Sequence, residues 1–306
     1  MRPANVSIAC RSVTALCDEQ TNKDAEEWLR RRGLTRRDFN RAGAAAALTM
    51  LLPPVANAYD VSEGDVLVET PDGKADCYFV HPASGSHAGV IVWPDVKGIR
   101  PAFRAMGKRL AQSGYSVLVV NPYYRTHKGR ILNDGESYRD PDVRARIMPH
   151  RQTLSPKTCV TDGKAFVEFL DDQPSVDTKR KIGTAGYCMT GSYTMRLAAA
   201  IPERIGAGGS FHGGGLANDK EDSPHLLAPQ MKAGFLIAIA ESDDKRDPEA
   251  RHLLREAFDA AGVEAEIEVY EGTAHGWCPP DSEVYDEAQA DRAWHRLLAL
   301  FERELA

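Results

Sequence analysis

Lys181-Ile182-Gly183-Thr184-Ala185-Gly186-Tyr187-Cys188-Met189-Thr190-Gly191 decides the fold of this 306-residue chain. A short β-branched and small-residue run ends in a tight turn, and helical periodicity resumes over 191–200. A cysteine at the apex of a strand-to-helix turn occupies the place of a nucleophile, exposed by a strained backbone whose neighbours must be small. The helix N-terminus behind it favours thiolate over thiol. The backbone N–H of Met189 is placed to meet a developing oxyanion. Thr190 stands where glycine is usual, which predicts a tightened turn.

Outward from this turn, strands and helices alternate. Strands are expected at 66–70, 75–80, 89–94, 116–120, 205–211, 235–240 and 264–270. Helices are expected at 100–113, 157–171, 248–261 and 283–304. Such alternation implies an α/β fold with a mainly parallel sheet covered on both faces. Residues 126–152, rich in Arg and His, read as a long polar surface excursion. Asp243 follows one strand and His275 follows the last, at spacings of 55 and 32 residues from Cys188 through Asp243 to His275. Both are expected on loops at carboxyl ends of strands, where open α/β sheets bind ligands. The order nucleophile, acid, histidine is that of a charge-relay triad on this kind of sheet. Asp244 is the alternative acid. Phe211-His212-Gly213-Gly214-Gly215 reads as a pocket-edge loop, with His212 a lesser candidate base. Singly, a lone Cys, a loop Asp pair and a lone His are ordinary core or surface residues; their order and strand-end placement make the case.

These motifs, Gly186-Tyr187-Cys188, Glu241-x-Asp243 and Ala274-His275-Gly276, resemble the dienelactone hydrolase family over about residues 62–305. The resemblance implies an α/β-hydrolase fold with a Cys188–His275–Asp243 triad. It places Asp95, in Trp93-Pro94-Asp95-Val96-Lys97-Gly98, where the family has a thiol-activating Glu, and gives the Val96 N–H as second oxyanion donor. The family's arginine shortly after the histidine is missing from Gly276-Trp277-Cys278-Pro279-Pro280. Its other carboxylate-binding arginine falls in the region holding Arg125, Arg144, Arg146 and Arg151. Tyr123, Tyr124 and Trp277 are candidates for an aromatic pocket wall.

Composition is globular, 42% hydrophobic and 27% charged, and the net charge of −6 offers no basic face for nucleic acid. Thr35-Arg36-Arg37-Asp38-Phe39, the apolar residues 42–52, Pro53-Pro54 and Ala56-Asn57-Ala58 have the order of a twin-arginine signal peptide with its cleavage site. The apolar run is too short for a membrane span. Residues 1–58 are therefore expected to be a lead-in and signal, and residues 59–306 a single α/β-hydrolase domain in the periplasm, with no stable membrane anchor. Residues 1–58 hold nine Lys/Arg and six Asp/Glu, so their removal takes the net charge from −6 to −9.

Of the six cysteines, Cys10 and Cys17 lie in the removable segment, and the other four show no metal-binding spacing. Cys77 reads as a buried strand residue and Cys159 as a helix residue. The leading expectation is a hydrolase of small-molecule esters or lactones acting through a thioester, as a monomer or small homo-oligomer. No metal or organic cofactor is expected. The alternatives are a non-catalytic binding protein on the same fold and a redox pair of Cys188 with Cys278.

Overall fold

The structure, a computed structural model, describes residues 19–31, 52–133 and 136–306. Its centre is one eight-stranded sheet of order β1-β2-β4-β3-β5-β6-β7-β8. The strands are β1 (Val61–Thr70), β2 (Gly73–Pro82), β3 (Gly89–Trp93), β4 (Ser116–Val119), β5 (Ile182–Tyr187), β6 (Ile205–Phe211), β7 (Gly234–Ala240) and β8 (Ala265–Tyr270). The β1–β2 and β2–β4 pairs are antiparallel and every other pair is parallel. The inner strands β3, β5 and β6 are buried at every residue. That explains their uninterrupted apolar and small-residue runs, since both sheet faces are covered.

Helix α1 (Glu19–Arg31) precedes the sheet in the chain, and the long helices that follow sort to its two faces. Helices α4 (Pro156–Asp171), α5 (Gly191–Ala200) and α7 (Pro248–Ala261) pack on one face with Phe166, Leu197 and Phe258. Helices α2 (Pro101–Gln112) and α8 (Glu287–Glu304) pack on the other with Phe103, Leu110, Leu297 and Phe301. Cys77 and Cys159 are buried, on β2 and α4 respectively. No helix among the described residues is long and apolar enough to cross a membrane.

Two expectations need correction, and one segment gains a structure that the sequence did not suggest. The stretch 126–152 is not simply a polar excursion. It contains α3 (Pro141–Arg151), and Ile131, Leu132, Tyr138, Val143 and Ile147 form a small core with Val96 and Tyr123 beside Met189. The Arg and His residues hid this apolar set, and Pro149 inside α3 disguised the helix. Asp243 lies on a short helix, α6 (Glu241–Arg246), rather than a loop. Within the lead-in, residues 19–31 form α1, which packs through Ala25, Trp28 and Leu29 against Ala274 and Val284. The twin-arginine stretch, residues 42–51 of the apolar run, Cys10 and Cys17 lie outside the described residues.

Candidate active site

Cys188 follows β5 directly, with φ +58, in the left-handed region that non-glycine residues rarely adopt. Two glycines make this turn possible. A Cβ on Gly186 would stand 2.2 Å from the Thr190 carbonyl oxygen, and one on Gly191 would stand 2.5 Å from the Cα of Gly213. Thr190 tightens the turn through its hydroxyl. It is fully buried, and its hydroxyl accepts from the Tyr187 N–H at 3.0 Å. The same oxygen lies 2.8 Å from the Trp93 carbonyl and 3.0 Å from that of Pro94, so it can donate to the end of β3. The side chain that replaces glycine thus ties the elbow to the neighbouring strand. On the far side, the Gly214 N–H donates to the Cys188 carbonyl at 3.2 Å.

His275 Nε2 lies 3.1 Å from Cys188 Sγ, and its Nδ1 lies 2.8 Å from Asp243 Oδ2. Asp244 instead faces Arg251 at 3.5 Å, so of the two aspartates it is Asp243 that meets the imidazole. Bonds between α6 and the loop after β8 fix this alignment. Gly272 N–H donates to Glu241 at 2.7 Å, Ser242 N–H to the Thr273 carbonyl at 3.3 Å, and His275 N–H to Ser242 Oγ at 3.0 Å. Glu241 is the first residue of the Glu241-x-Asp243 step; Ser242, the unspecified residue between them, carried no sequence signal.

Burial alone would depress the His275 imidazole, but the Asp243 carboxylate and then Cys188 outweigh it and hold the ring well above the usual histidine range. His212, fully buried, packs edge-on to His275 with ring centroids 5.1 Å apart. Burial first, then the charge of His275, pushes it well below that range.

Asp95 is buried, and both its oxygens meet Arg100, at 2.8 and 3.0 Å; Oδ1 also accepts from the Lys97 N–H. Arg100 in turn grips Asp281 through Nε at 2.5 Å and NH2 at 2.9 Å. Asp95 therefore braces its own loop to the segment after His275. No sequence motif announced Arg100 or Asp281. Val96 is buried on that loop, and no hydrogen bond from its N–H is found among the described residues. The Tyr123 hydroxyl donates to the Val96 carbonyl at 2.9 Å and touches Met189 Sδ at 3.5 Å, so the ring backs both candidate oxyanion residues.

Trp277 is fully buried, stacked on Tyr270 and set behind His212, so it is core rather than pocket wall. Tyr124 is likewise turned away, toward Thr70 and Asp162. Arg125 is paired with Asp72 and Asp162, and Arg146 with Glu136. Neither Cys188 nor Cys278 forms a disulfide, and both are buried. Among the described residues no group of three His, Cys, Asp or Glu side chains is placed to hold a metal ion. A cleft of about 410 Å³ lined by Glu264, Glu266, Arg296 and Arg303 lies at the amino ends of β7 and β8, away from this chemistry.

A cysteine elbow, a histidine and an aspartate at the carboxyl edge of an eight-stranded, mostly parallel sheet define an α/β hydrolase. Within that class the chain belongs to the dienelactone hydrolase family, whose family model matches residues 75–305. It is 24% identical over 232 residues to the carboxymethylenebutenolidase of Rhodococcus opacus, covering 74% of this chain and 86% of that protein. It is 23% identical over 236 residues to Protein usf of Aquifex pyrophilus, covering 76% of this chain and 94% of that one. Among solved structures, the dienelactone hydrolase of Anabaena variabilis superposes with a TM-score of 0.58 at 14% identity, covering 81% of this chain and all of that one. At that identity the likeness speaks to the fold alone.

Proposed function

We propose that this hydrolase cleaves small-molecule carboxylic esters or lactones with Cys188 as nucleophile, through a thioester. The observation that carries the reading is the unbroken line Cys188–His275–Asp243 at 3.1 and 2.8 Å. Cys188 Sγ attacks the carbonyl carbon while His275 holds the thiol proton. The backbone N–H groups of Met189 and Val96 take the negative charge on the carbonyl oxygen. His275 then delivers the proton to the departing alkoxide, leaving Cys188 acylated. A water molecule, deprotonated by His275, attacks the thioester, and the thiol is restored as the acid leaves. Asp243 holds the imidazole and stabilises its charged form. Asp95, clamped by Arg100, serves to position the Val96 N–H rather than to activate the thiol.

For a substrate carrying a carboxylate, Arg151 is the favoured partner. Arg125 and Arg146 are already paired with acids, which leaves Arg144 and Arg151, and of these Arg151 is the one whose charge reaches Tyr123 beside the elbow. We further propose that residues 1–58 are an export signal and that 59–306 is the mature domain in the periplasm. Support comes from the exposed turn at Ala56–Asn57, where Asn57 has φ +53.

Hydrolysis of p-nitrophenyl acetate tests the reaction. The wild type should turn over, and Cys188→Ala and His275→Ala should each lose about 10³-fold or more in kcat. A wild type inert across varied esters and lactones would favour a binding protein on this fold. Arg151→Ala should raise KM for a carboxylate-bearing lactone and leave p-nitrophenyl acetate unaffected; equal loss on both would remove Arg151 from recognition. Sequencing of periplasmic protein should start at Tyr59, and replacing Arg36 and Arg37 by Lys should keep the chain in the cytoplasm.

A further inference from the structure

Helix α1 docks on the rim of the site. Ala25, Trp28 and Leu29, spaced three and four apart on one helix face, are each less than a tenth exposed. They pack against Ala274, next to His275, and against Val284. The Trp28 indole donates to the Gly272 carbonyl at 2.8 Å. Asp24 pairs with NH2 of Arg246, the last residue of α6.

Arg246 faces two acids. Its NH1 is 3.7 Å from Asp243 Oδ1, too far for a hydrogen bond. That oxygen is buried and accepts no hydrogen bond, while Oδ2 holds His275. Arg246 thus pairs closely with Asp24 while it stands off from Asp243.

We propose that the Asp243–His275 rim is a docking surface for an amphipathic helix, filled by residues 19–31 of this chain, and that the docked helix keeps Arg246 from closing on Asp243. The second part rests on the triad reading given above. Without the helix, Arg246 turns onto Asp243 Oδ1 and neutralises part of the charge that stabilises the His275 imidazolium. Asp243 from α6, Cys188 from the elbow and His212 from the end of β6 face His275, and Arg246 stands beyond Asp243. Removal of residues 1–58 on export would take the helix away, so precursor and mature enzyme would differ at this rim.

The test uses the full chain with Asp24→Asn, Trp28→Ala or a protease site inserted within 32–51. Hydrogen exchange at 271–276, which needs no turnover, should quicken in Trp28→Ala; unchanged exchange would overturn the docking. Turnover of p-nitrophenyl acetate across pH should show the limb set by His275 moved down by about half a unit in Asp24→Asn, because a closer cation weakens the carboxylate's field. Arg246→Gln should abolish that sensitivity, so that adding Asp24→Asn to it changes nothing. A shift that persists without Arg246, or no shift with the helix cut and removed, sinks the proposal for Arg246. A synthetic 19–31 peptide added to the cut protein should restore the original profile. A wild type that turns over no ester defeats the hydrolase reading, while the exchange data still decide the docking.

Discussion

Cys188 occupies a backbone conformation that costs energy for any residue with a Cβ, and the cost is met by bonds around it. Thr190 is the most concentrated of these, since one buried hydroxyl satisfies the Tyr187 N–H and reaches the carbonyls at the end of β3. Thr190→Val preserves shape but leaves the Tyr187 donor buried without an acceptor. It should lower unfolding free energy by about 1–3 kcal/mol in urea titrations, whereas Thr190→Ser should cost much less. A valine variant as stable as wild type would show that the hydroxyl is dispensable. The sequence makes Cys188, Asp243 and His275 legible because a triad demands fixed residue types in fixed chain order. The inward turn of Thr190 is not legible, because departure from glycine reads equally well as crowding. The burial of Trp277 is equally hidden, since an aromatic after a loop histidine suits either a pocket or a core.

At the scale of elements, the loop after β3 and the segment after His275 are held together by Arg100. Its guanidinium is about 1% exposed and lies between Asp95 and Asp281. Burial acts against the Asp281 charge, but Arg100 and then Lys97 overcome it and hold the carboxyl far below the usual range. Arg100→Leu would leave two acids without their cation, and breaking such a buried set costs about 3–5 kcal/mol. The sign with pH follows from the depressed carboxyl. Its stabilisation is present above the unfolded value, near 4, and is lost as pH falls toward the folded one. The gap in unfolding free energy between wild type and Arg100→Leu should therefore be widest at neutral pH and shrink below about pH 4. A gap independent of pH would mean that packing, not charge, sets the cost. Regular strands were legible from apolar runs bounded by turns, as at β3 and β7. The short helix α6 was not: six residues of Glu-Ser-Asp-Asp-Lys-Arg carry no periodicity, and only acids in the first turn with bases in the last hint at it.

Over the whole molecule, two histidines at the carboxyl edge of the sheet are driven in opposite directions by their surroundings. His275 is held charged by Asp243, while His212 is fully buried, has no hydrogen bond to either ring nitrogen, and is kept neutral by burial and by His275 itself. The alternation of strands and helices predicted that edge, and the Phe211-His212-Gly213 stretch predicted a residue there. Only assembly of β5, β6 and the loop after β8 reveals that the two rings touch, because their chain separation carries no trace of it. The consequence is a stability that depends on pH. Well above pH 6.5 His212 is neutral in both folded and unfolded chains and contributes no slope. As pH falls below 6.5 the unfolded chain takes up a proton that the folded chain refuses, so stability is lost toward acid. A Cys188→Ala background keeps the thiol out of the titration, and asparagine tolerates the φ of +40 at position 212. Between pH 6.5 and 5, Cys188→Ala should lose more stability than Cys188→Ala/His212→Asn, whatever the two variants' absolute stabilities. Parallel stability curves for the two would mean that His212 takes up its proton in the folded state, and that the cation so formed has a partner at the heart of the site.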